Sequence, residues 1–233
     1  MSLLSKLTII IPTYNRQRYA LRNMGLWSGT GATIHVLDGS SEAVSTEQLS
    51  GFGENIHYHH FPISILLRLG KVIDLVDTEY AVLLADDEIF ISSAVESLIF
   101  ELENNEELVA CCGRGIDKSL VADLTVNWSV IKRNLETYKW RANGAVDQDE
   151  PVERMIYHMN PYNPSIIYAV CRSREWIKTM QLISSRQFSA TIVLELQFEL
   201  SMSFYGKVKV IDELAWLRSG ENPPATGGFE LSF

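Results

Sequence analysis

The stretch YAVLLADDEIF, residues 80–90, runs from apolar residues into three consecutive acids and back to apolar residues. Its first part, Tyr80 to Ala85, is a short apolar run of the kind found in strands that are buried on both faces of a parallel sheet. Asp86, Asp87 and Glu88 follow at once, and three carboxylates so close together repel one another. The sequence therefore requires that something either solvates or neutralises them at the end of this strand.

Similar apolar runs precede and follow this strand, and segments with helical spacing separate them. Strands and helices alternate at roughly 20–30-residue spacing through residues 1–115, which is typical of a parallel, doubly wound sheet. We therefore predict an α/β domain with a mostly parallel central sheet flanked by helices. The other strands predicted in this half are LTIII (7–11), ATIHVLDGSS (32–41), IHYHH (56–60) and LVACCG (108–113), and the helices cover 13–27, 63–76 and 93–105.

The second half of the chain is less regular, but it shows no internal repeat and no linker-like segment, so we predict one domain over residues 1–233. A helix is expected near Pro151, because proline is favoured in the first turn. A longer helix over 189–206 is expected to end with Gly206 as its C-cap. The remaining predicted elements are a strand at 164–173, a helix at 174–183 and a strand at 207–212.

Composition narrows the class of protein. The net charge of −9 argues against binding to nucleic acid through the overall electrostatic field. The three cysteines include an adjacent pair but no Cys-x-x-Cys spacing, which favours buried reduced thiols over a disulfide framework or a zinc site. The N-terminal segment is too short and too soon interrupted for a signal peptide or membrane span. We predict a soluble, cytoplasmic protein, with peripheral membrane association left open.

Polar residues follow three of the predicted strands. Thr13 and Asn15 follow the first strand, Asp38 follows the second, and Asp86 follows the strand at 80–85. Ligands of open α/β sheets bind at the carboxyl ends of the strands, so these residues predict a binding site there. Asn15 is also a plausible helix N-cap, and Asp38 before Gly39 is also compatible with an ordinary turn.

The acidic stretch has a structural alternative, since carboxylates after a strand often cap the next helix. Ser93-Ala94-Val95-Glu96 has the capping-box pattern, however, and predicts that this helix begins at Ser93 without using the earlier acids. Carboxylates left at a strand end are best stabilised by a divalent cation, and Mn²⁺ or Mg²⁺ prefers oxygen ligands shared with phosphates. We therefore expect Asp86, Asp87 and Glu88 to form a metal site.

The motifs TIIIPTYNR (8–16), HVLDGS (35–40) and YAVLLADDE (80–88) resemble, in their order and spacing, those of a GT-A-fold glycosyltransferase similar to glycosyltransferase family 2. The resemblance continues through SLIFELENNEELVACCGRGI, YNPSIIYAVCRS and LELQFELSMSFYGKVKVIDELAWLR, and so covers about residues 6–218. It implies a GT-A, Rossmann-like fold with a nucleotide-binding half at 1–115 and an acceptor-side half at 116–233. The implied reaction is metal-assisted, inverting transfer of a sugar from a nucleotide diphosphate sugar, foremost a UDP-sugar, to a glycan, lipid or protein hydroxyl.

The resemblance also implies roles for residues on the nucleotide side. The loop of Pro12, Thr13, Tyr14 and Asn15 resembles the segment that holds the base and ribose, largely through its backbone. Asp38 resembles the acid that accepts a hydrogen bond from the uracil N–H group.

Charged residues near the diphosphate are implied in the same way. Lys71 first, and Arg68 second, resembles the basic residue that assists the nucleotide. Asp86 resembles the acid that reaches the ribose or the metal. Glu88 occupies the last place of the acidic motif, where the resemblance implies the metal-binding acid. A glutamate there departs from the family's Asp-x-Asp pattern. Asp87 is therefore the alternative metal ligand.

The implied catalytic base lies about eleven residues before a glycine that closes a late helix, and this count back from Gly206 gives Glu195. Its apolar neighbours predict a raised pKa of the Glu195 carboxyl, which suits a base. Glu199 lies one helical turn later. It is the alternative base, a residue that orients Glu195, or one member of a solvated helix face.

Two other functions remain open at this stage. A nucleotidyltransferase also combines an α/β sheet with acidic ligands, but it usually has a glycine-rich basic loop after its first strand, where this chain has PTYNRQR. A catalytically idle protein that binds a nucleotide sugar or a partner is the other alternative. Simpler roles are also open for individual residues: a solvated helix position for Lys71, strand and rim positions for His57, His59 and His60, and packing or an acceptor site for Trp128 and Trp140.

Overall fold

Eight strands form one sheet in the computed structural model, which describes residues 2–117, 145–162, 165–186, 188 and 191–218. The strand order across the sheet is β3-β2-β1-β4-β7-β6-β8-β5. Trp128 and Trp140 lie outside the described residues. The strands are β1 (Leu7–Thr13), β2 (Thr33–Asp38), β3 (Ile56–His60), β4 (Tyr80–Leu83), β5 (Ile89–Phe90), β6 (Leu108–Asp117), β7 (Val170–Arg172) and β8 (Lys207–Arg218).

The direction of the strands changes partway across the sheet. Strands β3, β2, β1 and β4 are parallel to one another, as the alternation of strands and helices predicts. Strand β7 is antiparallel to both β4 and β6, and β5 is antiparallel to β8, whereas β6 and β8 are parallel. The predicted α/β class is confirmed, with an antiparallel portion where the second half of the chain enters the same sheet.

Helices cover both faces of the sheet. Along β1, Ile9 and Ile11 pack into one core cluster with residues of the first and fourth helices, whereas Ile10 packs into the other cluster. Successive side chains of a strand point to opposite faces, so the unbroken apolar run of β1 serves two cores at once. The helices are α1 (Gln17–Trp27), α2 (Thr46–Leu49), α3 (Ile65–Lys71), α4 (Ser92–Glu103), α5 (Pro151–His158), α6 (Ser173–Ser184) and α7 (Thr191–Tyr205).

Both predicted N-terminal caps are wrong. Helix α1 begins after Arg16 as N-cap, and Asn15 instead adopts a left-handed φ of 55° in the preceding loop. Helix α4 begins at Ser92 with Ile91 as N-cap and has no side-chain cap, so the expected capping box does not form. The Glu96 carboxylate accepts a hydrogen bond from the Ser2 hydroxyl and is engaged there. The acids at 86–88 still precede this helix without capping it.

The segment predicted as a strand at 164–173 is partly helical. A 3-10 turn covers Ile166–Tyr168, and only Val170–Arg172 joins the sheet. Strand β8, in contrast, is longer than predicted and reaches Arg218. These two differences bring Tyr168 and Trp216 together, and their rings stack at 4.3 Å between centroids.

Other expectations for the first half concern histidines and cysteines. His57, His59 and His60 lie in the edge strand β3, as predicted, and the His35 ring of β2 stacks on the rings of His57 and His59. Burial, and then the neighbouring histidines, lower the pKa of His35 to about 4. The three cysteines are buried free thiols, as the sequence predicts. Among the described helices, none combines the length and apolar character needed to cross a membrane.

Gly206 directly follows α7, as the sequence predicts, but its φ is not left-handed, since the positive-φ glycines of the described residues are Gly29 and Gly31. Position 206 requires glycine because there is no space for a side chain. A Cβ atom at this position would lie 2.3 Å from Val109 Cγ1 and 3.2 Å from the Glu107 carbonyl oxygen. Gly206 therefore lets the end of α7 approach β6 closely.

We predict that Gly206→Ala lowers the free energy of unfolding by about 1–3 kcal/mol, the usual cost of forcing an extra carbon into a packed site. Gly51→Ala is the matched control, because a Cβ there meets no atom within 4 Å. It should change stability by less than about 1 kcal/mol. Urea unfolding of both variants is the measurement, and equal stability of the two would contradict a steric role for Gly206.

Candidate active site

A cleft of about 810 Å³ opens at the carboxyl ends of the parallel strands. Thr13 ends β1, Gly39 follows β2, and Asp86 follows β4, and all three line the cleft. This is the edge at which open α/β sheets bind ligands. Pro12 and Tyr14 of the predicted nucleotide loop line it too, and the Tyr14 side chain is exposed. The structure therefore brings together three strand ends that are far apart in the sequence.

Asp86 is the most deeply placed acid of the cleft and is fully buried. The Thr13 hydroxyl donates to its Oδ2 at 2.7 Å. Arg16 Nη2 lies 2.8 Å from its Oδ1, but without the alignment of a hydrogen bond, so this contact is mainly one of charge. Burial raises the pKa of the Asp86 carboxyl, and the contacts with Thr13 and Arg16 oppose that rise.

Helix α1 holds the backbone of the acidic stretch. Asn23 Nδ2 donates to the carbonyl oxygens of Asp86 and Glu88 at 2.8 and 2.9 Å, and Arg22 Nη2 donates to that of Asp87 at 2.8 Å. Asn23 is buried, so these bonds are shielded from water. The loop that carries the acids is thus fixed by side chains of the preceding helix.

The three acids do not converge on one point. Asp87 Oδ2 lies 3.4 Å from Arg16 Nη1, on the side of the cleft. Glu88 is buried and its Oε2 accepts a hydrogen bond from Trp216 Nε1 of β8 at 2.8 Å. Within the part of the chain that the structure describes, no group of three His, Cys, Asp or Glu side chains is arranged to hold a metal ion. The geometry therefore does not bring all three acids onto one cation, and a metal at Asp86 and Asp87 stays a prediction.

Asp38 lies in the wall beside the cleft and is fully buried. Its Oδ1 accepts from the Ser40 backbone N–H at 2.8 Å, and its Oδ2 accepts from Gln17 Nε2 at 2.8 Å and from the Tyr58 hydroxyl. Burial raises the pKa of this carboxyl, but the hydrogen bonds outweigh it and the net shift is downward. The Asp38 carboxylate thus fixes the turn after β2, and a contact with uracil stays a prediction.

Arg68, and not Lys71, reaches the cleft. Lys71 is exposed, whereas Arg68 is 4% exposed and its Nη1 donates to the carbonyl oxygens of Thr13 and Leu37. A Cβ atom at Gly39 would lie 2.4 Å from Arg68 Cζ, so glycine at this turn makes room for the guanidinium. The order of the two basic candidates expected from the sequence is therefore reversed in the geometry.

Glu199, on α7, belongs to a second group of contacts. Its side chain is fully buried. The carboxylate accepts hydrogen bonds from His158 Nε2 at 2.7 Å and from the backbone N–H groups of Ile166 and Ile167 at 3.1 and 2.9 Å. The 3-10 turn at Ile166–Tyr168 is therefore anchored to α7 through this carboxylate. Glu199 is not on a solvated helix face.

Glu195 lies one turn earlier on α7 and is partly exposed. The Tyr162 hydroxyl donates to its Oε1 at 2.8 Å, and the Tyr162 ring meets the His158 ring edge-on. Burial, and then this hydrogen bond, raise the pKa of the Tyr162 hydroxyl, which keeps it a donor. Of the two glutamates, Glu195 is the one whose side chain a substrate can reach.

The two groups of contacts are connected through aromatic side chains. Glu199 holds the turn that carries Tyr168, the Tyr168 ring stacks on Trp216, and Trp216 donates to Glu88. This path joins α7 to the acidic stretch through direct contacts.

Several of these residues are not indicated by the sequence analysis. Arg16 follows the nucleotide loop directly, and its positive charge beside a predicted site was the available signal. His158, Tyr162 and Trp216 carry no comparable signal, because their partners are 33 to 128 residues away in the sequence.

The sheet and its strand-end cleft define the GT-A class of glycosyltransferase folds, and solved structures confirm the resemblance at the level of the fold. The chain aligns with the crystal structure of S. aureus TarS 1–349 at a TM-score of 0.60 and 14% identity, over 92% of this chain and 60% of that chain. The TM-score is 0.65 for the complex of TarS 1–349 with UDP-GlcNAc, at 12% identity over 96% and 61% of the two chains. With the UDP complex it is 0.59, at 14% identity over 92% and 60%.

These comparisons bear on the fold alone, because the sequence identities are low. The chain spans about 60% of the length of TarS 1–349. No protein-family model matches the sequence, and no curated protein matches it.

We predict that Glu199→Ala lowers the free energy of unfolding by about 3–5 kcal/mol, because it leaves His158 and two buried backbone N–H groups without their acceptor. Glu195→Ala is the matched control on the same helix. This substitution removes a partly exposed acceptor of the Tyr162 hydroxyl and should cost about 1 kcal/mol. Urea unfolding distinguishes the two residues, and comparable losses would contradict the assignment of Glu199 as the buried anchor.

Proposed function

We propose that this protein is a glycosyltransferase that transfers a sugar from a nucleotide diphosphate sugar, foremost a UDP-sugar, to an acceptor hydroxyl. The observation that carries the proposal is the cleft at the strand ends of a GT-A fold, lined by Asp86 and by the guanidinium groups of Arg16 and Arg68. A site of this kind offers an acceptor for ribose hydroxyls and positive charge for a diphosphate. TarS 1–349, which shares the fold, forms complexes with UDP-GlcNAc and with UDP.

The nucleotide side of the reaction is assigned to the first half of the chain. The loop from Pro12 to Asn15 faces the base and ribose, and the Asn15 backbone N–H is fixed by the Ser40 hydroxyl at 2.8 Å. Asp38 accepts a hydrogen bond from the Ser40 backbone N–H and so fixes the turn after β2 that carries Ser40. Such a preformed loop loses little conformational entropy on binding, which favours a rigid, planar ligand such as a nucleobase.

The transfer step is assigned to Glu195. In an inverting reaction its carboxylate accepts the proton of the acceptor hydroxyl while the acceptor oxygen bonds to the sugar C1. The C1–O bond to the diphosphate breaks, and the leaving oxygen takes its electron pair. Tyr162 fixes one carboxylate oxygen, and Glu199 fixes the turn beside it, so the base is held in one orientation. Glu199 acts as a positioning residue in this scheme.

The cation expected from the sequence, Mn²⁺ or Mg²⁺, stays a prediction. Asp86 and Asp87 would hold it, because Glu88 is engaged by Trp216. When bound, such an ion would stabilise the negative charge that develops on the leaving diphosphate.

Nucleotide binding tests the proposal. A ligand that binds only the folded state raises the melting temperature. We expect UDP and UDP-GlcNAc to raise it more than ADP or GDP at equal concentration, with manganese present in one series and chelator in another. Equal or larger shifts with ADP or GDP would contradict a uridine site, and no shift with any nucleotide would contradict the proposed function.

We predict that Glu195→Gln lowers turnover by at least ~100-fold, the usual scale for losing a positioned acid–base group, and leaves UDP binding nearly unchanged. Turnover is measured as UDP released in the presence of an acceptor that supports transfer by the unmodified protein. Glu153→Gln, an exposed position on α5, is the control and should keep full turnover. Normal turnover of Glu195→Gln would remove Glu195 as the base, and UDP binding without any turnover in the unmodified protein would favour a binding-only role.

A further inference from the structure

Arg16 stands where the sequence predicts a divalent cation. Its Nη2 lies 2.8 Å from Asp86 Oδ1 and its Nη1 lies 3.4 Å from Asp87 Oδ2, so one guanidinium spans both carboxylates. The third acid is turned away, since Glu88 is only 5% exposed and accepts from Trp216 Nε1 at 2.8 Å. A fixed positive charge therefore offsets part of the negative charge of Asp86, which lines the cleft, and of Asp87 beside it.

Arg16 is also placed to meet a ligand. Its side chain is 34% exposed and lines the cleft, whereas Asp86 beside it is fully buried. A guanidinium has five N–H donors in a planar fork, so contacts with two carboxylates leave donors for a phosphate oxygen.

A second arginine adds an independent indication of an anionic ligand. Arg68 lines the same cleft, is 4% exposed, and has no hydrogen-bond partner for its Nε. A donor that is buried without a partner is costly, and such groups often mark the place of a ligand atom. The cleft thus presents two guanidinium groups on the diphosphate side.

We propose that Arg16, assisted by Arg68, neutralises the diphosphate of the donor in place of a divalent cation, so that the nucleotide binds without metal. This inference rests on the proposed function. As the C1–O bond breaks and its electron pair moves to the leaving oxygen, the added negative charge forms beside a cation that is already fixed by Asp86 and Asp87. Such a fixed charge needs little reorganisation during the step.

Calorimetric titration of the unmodified full chain with UDP tests the inference directly. We expect the dissociation constant in the presence of chelator to lie within about 3-fold of the values with Mn²⁺ or Mg²⁺. Binding that requires the metal, or that the metal tightens by more than about 30-fold, would overturn the role of Arg16. This arm uses no variant and therefore does not depend on how a substitution folds.

Variants identify the residue responsible. In chelator, Arg16→Ala should weaken UDP binding by about 10- to 100-fold, the range that corresponds to losing a charged hydrogen bond. Mn²⁺ should then restore part of the affinity, because the guanidinium no longer spans the two carboxylates. Arg16→Lys keeps the positive charge but not the planar fork of donors. Its UDP affinity should lie between that of Arg16→Ala and that of the unmodified protein. Arg18→Ala is the control, since Arg18 is exposed on the same helix and its Nη2 contacts the Tyr19 hydroxyl.

A titration with uridine shows whether Arg16 contacts the diphosphate or supports the structure of the whole site. Uridine lacks the phosphates, so its affinity should be the same for Arg16→Ala and the unmodified protein. An equal loss of uridine and UDP affinity would overturn the inference, because Arg16 would then act on the whole site. If the unmodified protein binds neither compound under any condition, the proposed function fails as well, whereas metal-dependent UDP binding contradicts only the role of Arg16.

Discussion

The burial of one charged group, the Asp86 carboxylate, is the constraint on which the cleft depends. A carboxylate removed from water costs several kcal/mol unless donors and opposite charge compensate it. Here the compensation comes from Thr13, the last residue of β1, and from Arg16, the residue before α1. The segment between them must therefore lie against the end of β4. Asn23 and Arg22 then fix the carbonyl groups of the acidic stretch, so α1 determines its path.

A second constraint joins the late helix to this loop. The buried carboxylate of Glu199 is an acceptor for a short turn, the turn presents Tyr168, and Tyr168 supports Trp216. The hydrogen bonds of Glu199 to Ile166 and Ile167 are buried, and this carboxylate would be costly to bury without them. The position of Glu195 at the surface of α7 and the position of Glu88 near the cleft are thus set by one continuous set of contacts.

The sequence predicts most of the fold because the dominant signal is local. Apolar runs such as β1 must be buried on both faces, and alternation with helices leaves few arrangements for such strands. Two of the errors are at helix ends, where competing hydrogen-bond partners decide. The Ser93–Glu96 pattern fits a capping box, but Glu96 is bonded to Ser2 instead. Asn15 is compatible with a cap, yet the loop needs a left-handed residue there.

The site is less predictable than the fold. The strand-end rule correctly brings Thr13 and Asp86 together, since it depends only on topology. The rule cannot tell which basic residue reaches the cleft, because Arg68 and Lys71 differ only in the face of α3 on which they lie. It also cannot distinguish Glu195 from Glu199. Helical spacing places both glutamates on related faces, and only the burial of His158 and the turn at Ile166 decides between them.

The hydrogen bond between Trp216 and Glu88 joins positions 128 residues apart. Contacts between such distant positions form slowly, because a long loop must close before they contribute any stabilisation. As a chain is synthesised from its N-terminus, the first four strands can assemble well before residue 216 is available. The Glu88 carboxylate can accept the Trp216 hydrogen bond only after β8 has docked. The last contact of the acidic stretch is thereby linked to the completion of the sheet, so an incompletely assembled chain would have its first four strands in place before Glu88 meets Trp216.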